Sequence, residues 1–384
     1  MRDVPRDLRD PQDVATPHPD PLGYQARILS RVSRTFALTI PQLPAELATV
    51  VTHAYLLLRL ADTIEDEPAL TAQQIRVYED AFLEVVAGRA DARCFSDQVC
   101  ALLTGQTQDA ERELMQHLPW VMQVHSLLTP VQRAALLNCL AVMTRGMSEF
   151  RQGLGLQGLA TFHDLDRLCY CVSGVVGEML TEFFIEAVPS LEARRATLHR
   201  LSISFGAALQ LTNILKDQWE DRERGICWLP RELFRAYGVH LHALDPGHAA
   251  PNHACALSVL IGTAHAHLHL ALQYALLIPV EQKGIRRFIL WTLGLCLLTL
   301  RKMHNTPGFR SQQQVKITHA DVALIMYSVT GVQRWDWGVQ ALFNTASRGL
   351  PFTPLAPEWE AAAWHARPWP RHSISFLDHL PLRF

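Results

Sequence analysis

Residues 55–67 read YLLLRLADTIEDE and place an acidic cluster directly after an apolar run of helical character. Asp62, Glu65 and Asp66 stand at positions i, i+3 and i+4, so on an α-helix their carboxylates share one face. Burying several anions without a partner is prohibitive, because ionised groups lose their hydration. The stretch therefore predicts a helix that carries its carboxylates to a place where they meet cations.

A second stretch, residues 209–225, repeats this arrangement. It reads LQLTNILKDQWEDRERG, and Asp217, Glu220 and Asp221 have the same internal spacing. Polar side chains extend both helix faces upstream of the acids: Arg59, Gln210 and Asn213. One such cluster alone could equally be a solvated helix face. Two with matched spacing favour a site in which Mg²⁺ ions, which prefer hard oxygen ligands, hold a diphosphate.

Helical signals dominate between these stretches and beyond them. Thr71 and Thr129 are each followed three residues later by Gln, which is a capping-box pattern, and Pro130 stands at a first helical position. After Thr129, apolar residues recur at three- and four-residue steps and predict a buried stripe: Leu136, Leu140, Met143, Met147 and Phe150. No sustained alternation of period two indicates strands. The fold class predicted from these patterns is all-α, in a single domain.

We divide the chain into three parts. Residues 1–21, rich in proline and charge, are predicted to be a flexible leader, residues 22–345 the helical domain, and residues 346–384 an irregular tail rich in Pro and Trp. Residues 153–158 match G-x-G-x-x-G, the dinucleotide fingerprint. That fingerprint requires a preceding strand, and here it follows a helical stripe, so a flexible connection is expected instead.

The composition excludes several classes of protein. Apolar residues make up 49 % of the 384 residues and charged ones 19 %, which supports a large core. The net charge of −2 gives no reason to expect nucleic-acid binding. Eight cysteines without a CxxC pair favour a reducing compartment, and we expect a cytoplasmic monomer. The longest apolar run, residues 288–300, falls short of the roughly 20 residues of a membrane span, so only peripheral membrane contact is left open.

Over residues 24–330 the chain resembles the squalene/phytoene synthase family of head-to-head prenyltransferases. Six segments carry the resemblance in order: Ser33-Arg34-Thr35-Phe36; Tyr55 with Arg59 and the first acidic cluster; GMSEF at 146–150; VSGVVG at 172–177; Gln210 and Asn213 with the second acidic cluster; and Trp228-Leu229-Pro230. Later segments, FILWTLGLCLLTLRK and Val315-Lys316-Ile317, are also similar. GMSEF resembles a segment of the squalene-forming branch and favours the C30 product squalene over the C40 product phytoene. Because the family's eukaryotic C-terminal anchor is not recognised in the sequence, we expect a bacterial-type squalene synthase.

The resemblance implies an isoprenoid-synthase-type helical bundle around a central apolar cavity. It implies that two farnesyl diphosphates join through presqualene diphosphate and give squalene, with Mg²⁺ and NADPH as cofactors. The catalytic residues implied are Asp62, Asp66, Asp217, Asp221, Tyr55 and Arg59, and the metal ligands Asp62, Glu65, Asp66, Asn213, Asp217 and Asp221. The substrate-binding residues implied are Ser33, Arg34, Tyr55, Arg59, Gln210, Asn213, Lys216, Gly174 and Gly177, and the cofactor-binding residues Arg34, Arg59, Lys216 and Lys316.

Three positions depart from the family pattern. Leu168 stands where the family has a tyrosine thought to act in proton transfer, and Tyr170 is two residues away, about 200° around an α-helix. Ile226 replaces the arginine of a Gly-Arg pair, and His319 ends a run that is usually basic. The departures leave the diphosphate-binding residues intact and change those expected to direct the later steps.

Three interpretations therefore stay open. The first is squalene formation with NADPH. The second uses the same ionising centre for another product: presqualene diphosphate, dehydrosqualene, phytoene, a cyclised terpene or a prenylated acceptor. The third is a catalytically silent diphosphate-binding partner of an active homologue, which the full set of acidic residues disfavours, because buried carboxylates are costly to keep without cations.

Overall fold

The computed structural model describes residues 20–151, 153–245 and 251–355. The α-helices in these ranges are α1 Pro21–Val32, α2 Arg34–Thr39, α3 Ala45–Glu65, α4 Ala72–Val86, α5 Ala92–Cys100, α6 Asp109–Gln116, α7 Leu118–His125, α8 Pro130–Arg151, α9 Phe162–Cys169, α10 Val175–Ala187, α11 Arg195–Glu223, α12 Arg231–Ala236, α13 Pro251–Leu277, α14 Lys283–Asn305, α15 Gln312–Val315, α16 His319–Val332 and α17 Asp336–Ser347. Short 3₁₀ helices cover Ile40–Gln42, Pro189–Arg194 and Leu241–Ala243, and a π-helix covers Tyr170–Gly174. No β-strand occurs in the described ranges, which confirms the predicted all-α class.

Local sequence signals account for several helix starts. The Thr71 hydroxyl accepts a hydrogen bond from the Gln74 backbone N–H, and the Gln74 side chain accepts one from the Thr71 N–H, which closes the predicted capping box of α4. Thr129 and Gln132 exchange the same two bonds at the start of α8, where Pro130 is the first helical residue. Each box satisfies backbone donors that the first helical turn leaves unpaired.

The helices that carry the acidic clusters belong to one packed bundle. Helix α11 packs against α10, α13 and α14, α10 packs against α8, and α8 against α3. Helix α2 and the 3₁₀ helix Ile40–Gln42 pack against α14, and Ile40–Gln42 also packs against α3. On α8 the predicted stripe is buried at Leu136, Leu140 and Met143 and becomes partly accessible at Met147 and Phe150, toward its C-terminal end. The central cavity itself stays a prediction.

The glycine-rich segment at 153–158 is a loop, and the residue that follows it is hydrogen-bonded to the segment before α12. The Leu159 N–H donates to the Leu229 carbonyl at 3.0 Å, and the Arg231 N–H donates to the Leu159 carbonyl at 2.8 Å. Gly158 has φ +76°, and a Cβ there would stand 2.4 Å from the Leu229 oxygen. A dinucleotide fold is therefore excluded here. The flexibility of residues 153–158 stays a prediction, and these bonds hold Leu159, the residue that follows the segment.

Three helical stretches among the described residues are long and apolar enough to cross a membrane, judged by length and composition alone: Ala45–Glu65, Phe162–Ala187 and Asn252–Leu277. Between 67 and 72 % of the most apolar window of each is buried inside the fold. The sequence prediction that no segment could span a membrane must be revised on this point. It considered uninterrupted apolar runs, whereas these helices reach a high hydropathy with polar residues interspersed.

The ends of the predicted domain agree with the helices only in part. Helix α1 begins at Pro21, capped by Asp20, and α17 ends at Ser347. Residues 1–19 of the predicted leader and 356–384 of the predicted tail lie outside the described ranges.

Candidate active site

The first acidic cluster lies at the C-terminal end of α3. Asp62 is in the last turn, and the Asp66 backbone N–H donates to the Asp62 carbonyl where the helix ends. Nη1 of Arg59 lies 3.8 Å from Oδ2 of Asp62 and 3.6 Å from Oε1 of Glu111 on α6. Glu65 is buried, and its Oε1 lies 3.0 Å from Nη1 of Arg151 at the end of α8. Asp62 and Glu65 therefore both have a cationic partner from the protein, and the partner of Glu65 is the closer one.

The second acidic cluster lies on the last turns of α11. Oδ2 of Asp217 lies 3.2 Å from Nζ of Lys216, while its Oδ1 is buried without a hydrogen-bond partner. Oε1 of Glu220 accepts a hydrogen bond from the Gln312 backbone N–H at 2.8 Å, and its Oε2 is also buried and unpartnered. Buried carboxylate oxygens without a donor are costly, so these two atoms are suited to a cation.

The charges of the two clusters act on each other, so the ends of α3 and α11 lie within electrostatic range of one another. Burial and the charge of Asp217 raise the pKa of Asp221 to about 6, and the charge of Asp66 from the other cluster contributes to this rise. Burial also raises the pKa of Glu111, with Arg59 acting against it and Asp66 adding to it. That the two clusters hold one group of metal ions between them stays a prediction.

Asp62 is partly accessible to solvent. Its side chain keeps 30 % of its area accessible, yet burial raises its pKa to about 7, against the opposing charge of Arg59. The nearby charges of Asp66 and Glu65 raise the pKa further. Because a cation requires the ionised carboxylate, metal binding at this cluster is coupled to proton release near neutral pH.

The side chains of the two clusters offer oxygen ligands of the kind Mg²⁺ prefers, but too few of the described ones lie close together to hold the ion alone. Carboxylate oxygens are suitable ligands, and the unpartnered atoms of Asp217 and Glu220 supply two of them. In the described part of the chain, however, no three His, Cys, Asp or Glu side chains group closely enough to hold an ion by themselves. Mg²⁺ commonly takes one or two carboxylates together with water and substrate phosphate, so these residues fit a metal that arrives with a diphosphate.

The predicted cationic residues divide into two pairs. Arg59 and Lys216 are partly buried and paired with carboxylates of the clusters. Arg34, at the start of α2, and Lys316, directly after α15, are exposed. Helix α15 packs against α11, so Lys316 lies on the side of the second cluster. Arg34 and Lys316 are the better placed pair for a phosphate group that approaches from solvent.

Tyr55 and Ser33 support the site through backbone and ring contacts. The Tyr55 hydroxyl donates to the Val32 carbonyl at 3.3 Å and accepts from Nη2 of Arg59 at 3.1 Å. Its ring lies 5.0 Å from the Phe36 ring. The Ser33 hydroxyl accepts from the Phe36 N–H at 3.1 Å and caps α2. These contacts hold the segment of residues 33–36 on α3 and orient the Arg59 guanidinium.

The glycines predicted to bind substrate make close helix contacts. A Cβ on Gly177 would stand 2.1 Å from the Ser202 carbonyl oxygen of α11, and one on Gly174 would stand 3.0 Å from the Tyr170 ring. The neighbouring Ser173 hydroxyl donates to Oε1 of Gln210 at 3.1 Å. Gly177 thus serves helix packing, while Gln210 is held on α11 two turns before Asp217.

The position of Leu168 is apolar and closed. Leu168 is only 2 % exposed. The Tyr170 hydroxyl donates to Oε2 of Glu178 on α10 at 3.0 Å, and burial raises the pKa of Glu178 to about 7. Tyr170 is the first residue of the π-helix that leads into α10. Tyr170 is therefore engaged with Glu178 rather than taking the place of the missing tyrosine.

Sequence reasoning missed three residues near the first cluster: Glu111, Arg151 and Glu79. Each comes from a different helix, so no spacing within one motif indicates them. It also gave no role to Arg224, which caps α11 three residues after Asp221 and whose charge opposes the rise that burial causes in the pKa of Asp221. Arg151 had the clearest local signal, since it follows the apolar stripe of α8 as a basic residue in the last turn.

Glu79 of α4 is a buried carboxyl near the first cluster, and its raised pKa predicts a pH-dependent effect on stability. It is 3 % exposed, and its Oε2 accepts from the Ser148 hydroxyl at 2.7 Å. Burial raises its pKa to about 7, so its ionisation destabilises the fold as the pH rises from the unfolded value near 4.5 through 7. We expect Glu79→Gln to raise the free energy of unfolding by ~2 kcal/mol at pH 8 and by almost nothing at pH 4. Thermal denaturation of the metal-free protein across this pH range measures it.

Glu84→Gln on the same helix is the matched control. Its hydrogen bonds with Arg89 lower the pKa of Glu84, and 42 % of its side chain is accessible. Its loss should change stability little at any of these pH values. A stabilisation by Glu79→Gln that is the same at pH 4 and pH 8 would show that Glu79 is not the titrating group.

Known proteins resemble this chain in sequence and in fold. The family model described as squalene/phytoene synthase matches residues 29–321. The squalene synthase BSS of Botryococcus braunii is 31 % identical over 320 residues, which cover 81 % of this chain and 65 % of the relative, so the chain spans just under two thirds of its length. Among solved structures, TcSQS in complex with a ligand has a TM-score of 0.68 at 23 % identity, covering 89 % of this chain and 95 % of that one. A dehydrosqualene synthase in complex with a ligand has a TM-score of 0.60 at 21 % identity, covering 81 and 95 %. The acidic clusters, the helical bundle and the family match agree, and the chain belongs to the squalene/phytoene synthase family.

Proposed function

We propose that this protein joins two farnesyl diphosphates head to head through presqualene diphosphate and forms squalene with NADPH. The observation that carries the proposal is the pair of carboxylate clusters at the ends of α3 and α11, which lie within electrostatic range of each other, with buried, unpartnered oxygens on Asp217 and Glu220. Mg²⁺ bound there would neutralise the diphosphate and make it a leaving group.

The protein's own side chains support this ionisation in three ways. Arg59 and Lys216 stand beside the carboxylates and can bind phosphate oxygens. Tyr55 fixes the Arg59 guanidinium by its hydrogen bond. The adjoining faces of Tyr55 and Phe36 are aromatic, and such faces stabilise positive charge of the kind an allylic cation carries. For NADPH, the exposed Arg34 and Lys316 are the cations suited to its phosphates.

A second candidate is that the reaction ends at another product of the same ionising centre. Leu168 favours it: a leucine cannot transfer a proton, and Tyr170 is bonded to Glu178. Presqualene diphosphate and dehydrosqualene are the products expected when the second half of the reaction is altered. Phytoene, a cyclised terpene or a prenylated acceptor are further outcomes of the same test.

Product analysis decides between the two candidates. Purified protein is incubated with farnesyl diphosphate and Mg²⁺, with and without NADPH. Squalene that appears only with NADPH supports the first candidate, and a product that is independent of NADPH supports the second. If neither condition releases diphosphate, both enzymatic proposals fail and a silent diphosphate-binding role remains.

Leu168→Tyr tests the missing hydroxyl directly. If the native chain stops short of squalene, the variant should shift at least about half of the product toward squalene, because a proton-transfer group typically contributes 10²-fold or more to its step. Leu168→Phe is the matched control, with the same added bulk and no hydroxyl. Equal product mixtures from both variants would assign any change to bulk alone.

A further inference from the structure

Helix α6 brings a further carboxylate to the first acidic cluster, from outside both acidic motifs. Glu111 is the third residue of α6, and only 16 % of its side chain is accessible. Its Oε1 lies 3.6 Å from Nη1 of Arg59, while Oδ2 of Asp62 lies 3.8 Å from the same nitrogen. Nη1 of Arg59 is therefore within ion-pair distance of two carboxylates, one from its own helix and one from α6.

The position of Glu111 is fixed by the chain around it. Glu67, directly after the first cluster, accepts hydrogen bonds from the Thr104 backbone N–H at 3.0 Å and from the Thr107 hydroxyl at 2.8 Å. Arg112, next to Glu111, donates to the Thr104 carbonyl at 2.5 Å. These bonds tie the loop before α6 to the end of α3, and the two helices also pack against each other. Glu111 is thus held at the first cluster by its surroundings as well as by Arg59.

The three nitrogen atoms of the Arg59 guanidinium have different surroundings. Nη2 donates to the Tyr55 hydroxyl, and Nε is buried without a hydrogen-bond partner. The separations of Nη1 from Asp62 and Glu111 are longer than an N–H···O hydrogen bond, which extends to roughly 3.2 Å. The two carboxylates therefore hold Nη1 by charge and leave its N–H groups free to donate to a phosphate oxygen.

The two carboxylates differ in what else they do in the proposed reaction. Asp62 is a proposed metal ligand, and a divalent cation bound there would repel the Arg59 guanidinium on the same helix. Glu111 belongs to neither motif and lies within electrostatic range of two cations. Burial raises the pKa of Glu111, while the charges of Arg59 and, more weakly, Arg224 lower it. Glu111 is thus the carboxylate that can keep Arg59 in place once Asp62 binds a metal.

We propose that Glu111 is a positioning residue, which holds the Arg59 guanidinium so that Nη1 binds the diphosphate of an Mg²⁺-bound substrate. This inference rests on the proposed function, because that function assigns Arg59 to the diphosphate. The simplest alternative is that Glu111 only adds negative charge or stabilises the first turn of α6. The two roles predict effects of opposite sign. Added negative charge alone weakens the binding of a diphosphate, whereas a positioning carboxylate strengthens it.

Titration calorimetry of the full chain with inorganic diphosphate and Mg²⁺ tests the inference. We expect Glu111→Gln to bind inorganic diphosphate at least about fivefold more weakly than the native chain, because a charge-assisted contact from Arg59 is lost. Glu111→Asp should recover part of the affinity, since it restores the charge. Asp109→Asn is the matched control, because it removes an exposed carboxylate from the same first turn of α6. It should bind inorganic diphosphate within about twofold of the native chain.

A double-mutant cycle separates positioning from a purely structural role. In the Arg59→Gln background, Glu111→Gln should no longer weaken diphosphate binding, because the side chain that it positions is absent. A loss of equal size in both backgrounds would overturn the inference. Equal or tighter binding by Glu111→Gln with Arg59 present would overturn it too, and neither result affects the proposed function.

The readout separates this inference from the product of the reaction, since neither farnesyl diphosphate nor squalene is measured. If the native chain binds inorganic diphosphate and the cycle behaves as expected, the inference stands even where product analysis finds no squalene. A native chain that does not bind inorganic diphosphate with Mg²⁺ would overturn the inference together with the proposed ionising centre.

Discussion

Asp217→Asn is expected to lower kcat/KM for farnesyl diphosphate by about 10³-fold or more, with the fold retained. The Asp217 carboxylate has one oxygen against Lys216 and one that is buried without a partner. Asparagine keeps the size of the side chain but removes the charge that would hold a divalent cation and its diphosphate. Asp62→Asn should act similarly at the first cluster, because Asp62 is a proposed metal ligand beside Arg59.

Diphosphate release at several Mg²⁺ concentrations is the measurement for both variants. A variant that has lost a metal ligand should need more Mg²⁺ for its residual activity, which a merely destabilised protein would not. Glu223→Gln is the control: it removes a carboxylate from the same helix as Asp217, but at an exposed position in the last turn. It should stay within about twofold of the native rate. Near-normal turnover by Asp217→Asn would contradict the proposed role of the second cluster.

The part of this site that could be predicted from the sequence is the spacing of acidic residues along a single helix. Helical spacing put Asp62 and Asp66 on one face, and Asp217 and Asp221 on another, and the fold brings the two pairs into electrostatic contact. Spacing is a property of one helix, so it could not show what arrives from other helices. Glu111 beside Arg59 comes from α6 and is of this kind.

The outcome for Glu65 shows the same limit. Its i+3 position relative to Asp62 made it equivalent to its neighbours in the sequence, and it was predicted to be a metal ligand. In the fold Arg151 of α8 lies 3.0 Å from it. That pairing depends on how α8 crosses α3, which no local pattern reports. Its role as a metal ligand therefore stays a prediction, whereas its ion pair is a feature of the structure.

The π-helix at Tyr170–Gly174 was also not predicted. The VSGVVG segment suggested a regular helix, and a widened turn carries no signal in residue type. The structure shows a physical reason for it to be tolerated here: the backbone of Ser173 and Gly174 lies directly against Gly206 of α11. A π-turn shifts the following residues around the helix axis, and such turns are frequent at functional sites.

Gly206→Ala is expected to destabilise the protein by about 3 kcal/mol or more, the largest stability effect we predict. A Cβ at this position would stand 1.9 Å from the Ser173 carbonyl oxygen and 2.7 Å from the Gly174 nitrogen. Both atoms belong to backbone, so no side chain can rotate away, and the π-helix and α11 must separate. Because Gly206 is one turn before Gln210, the movement should also loosen the hydrogen bond from Ser173 to Gln210. Denaturant unfolding gives the stability.

Gly105→Ala is the control for the general effect of adding a methyl group. A Cβ added at Gly105 would have nothing within 4 Å, and Gly105 does not adopt a left-handed conformation. Alanine there should therefore be neutral, or stabilise the protein by up to about 1 kcal/mol because it lowers the conformational entropy of the unfolded chain. If Gly206→Ala unfolded at the same denaturant concentration as Gly105→Ala, the close contact between the π-helix and α11 could not be present in solution. A lowered midpoint for Gly206→Ala alone, together with weaker binding of a diphosphate, would link this contact to the second acidic cluster, which lies about three to four turns further along the same helix.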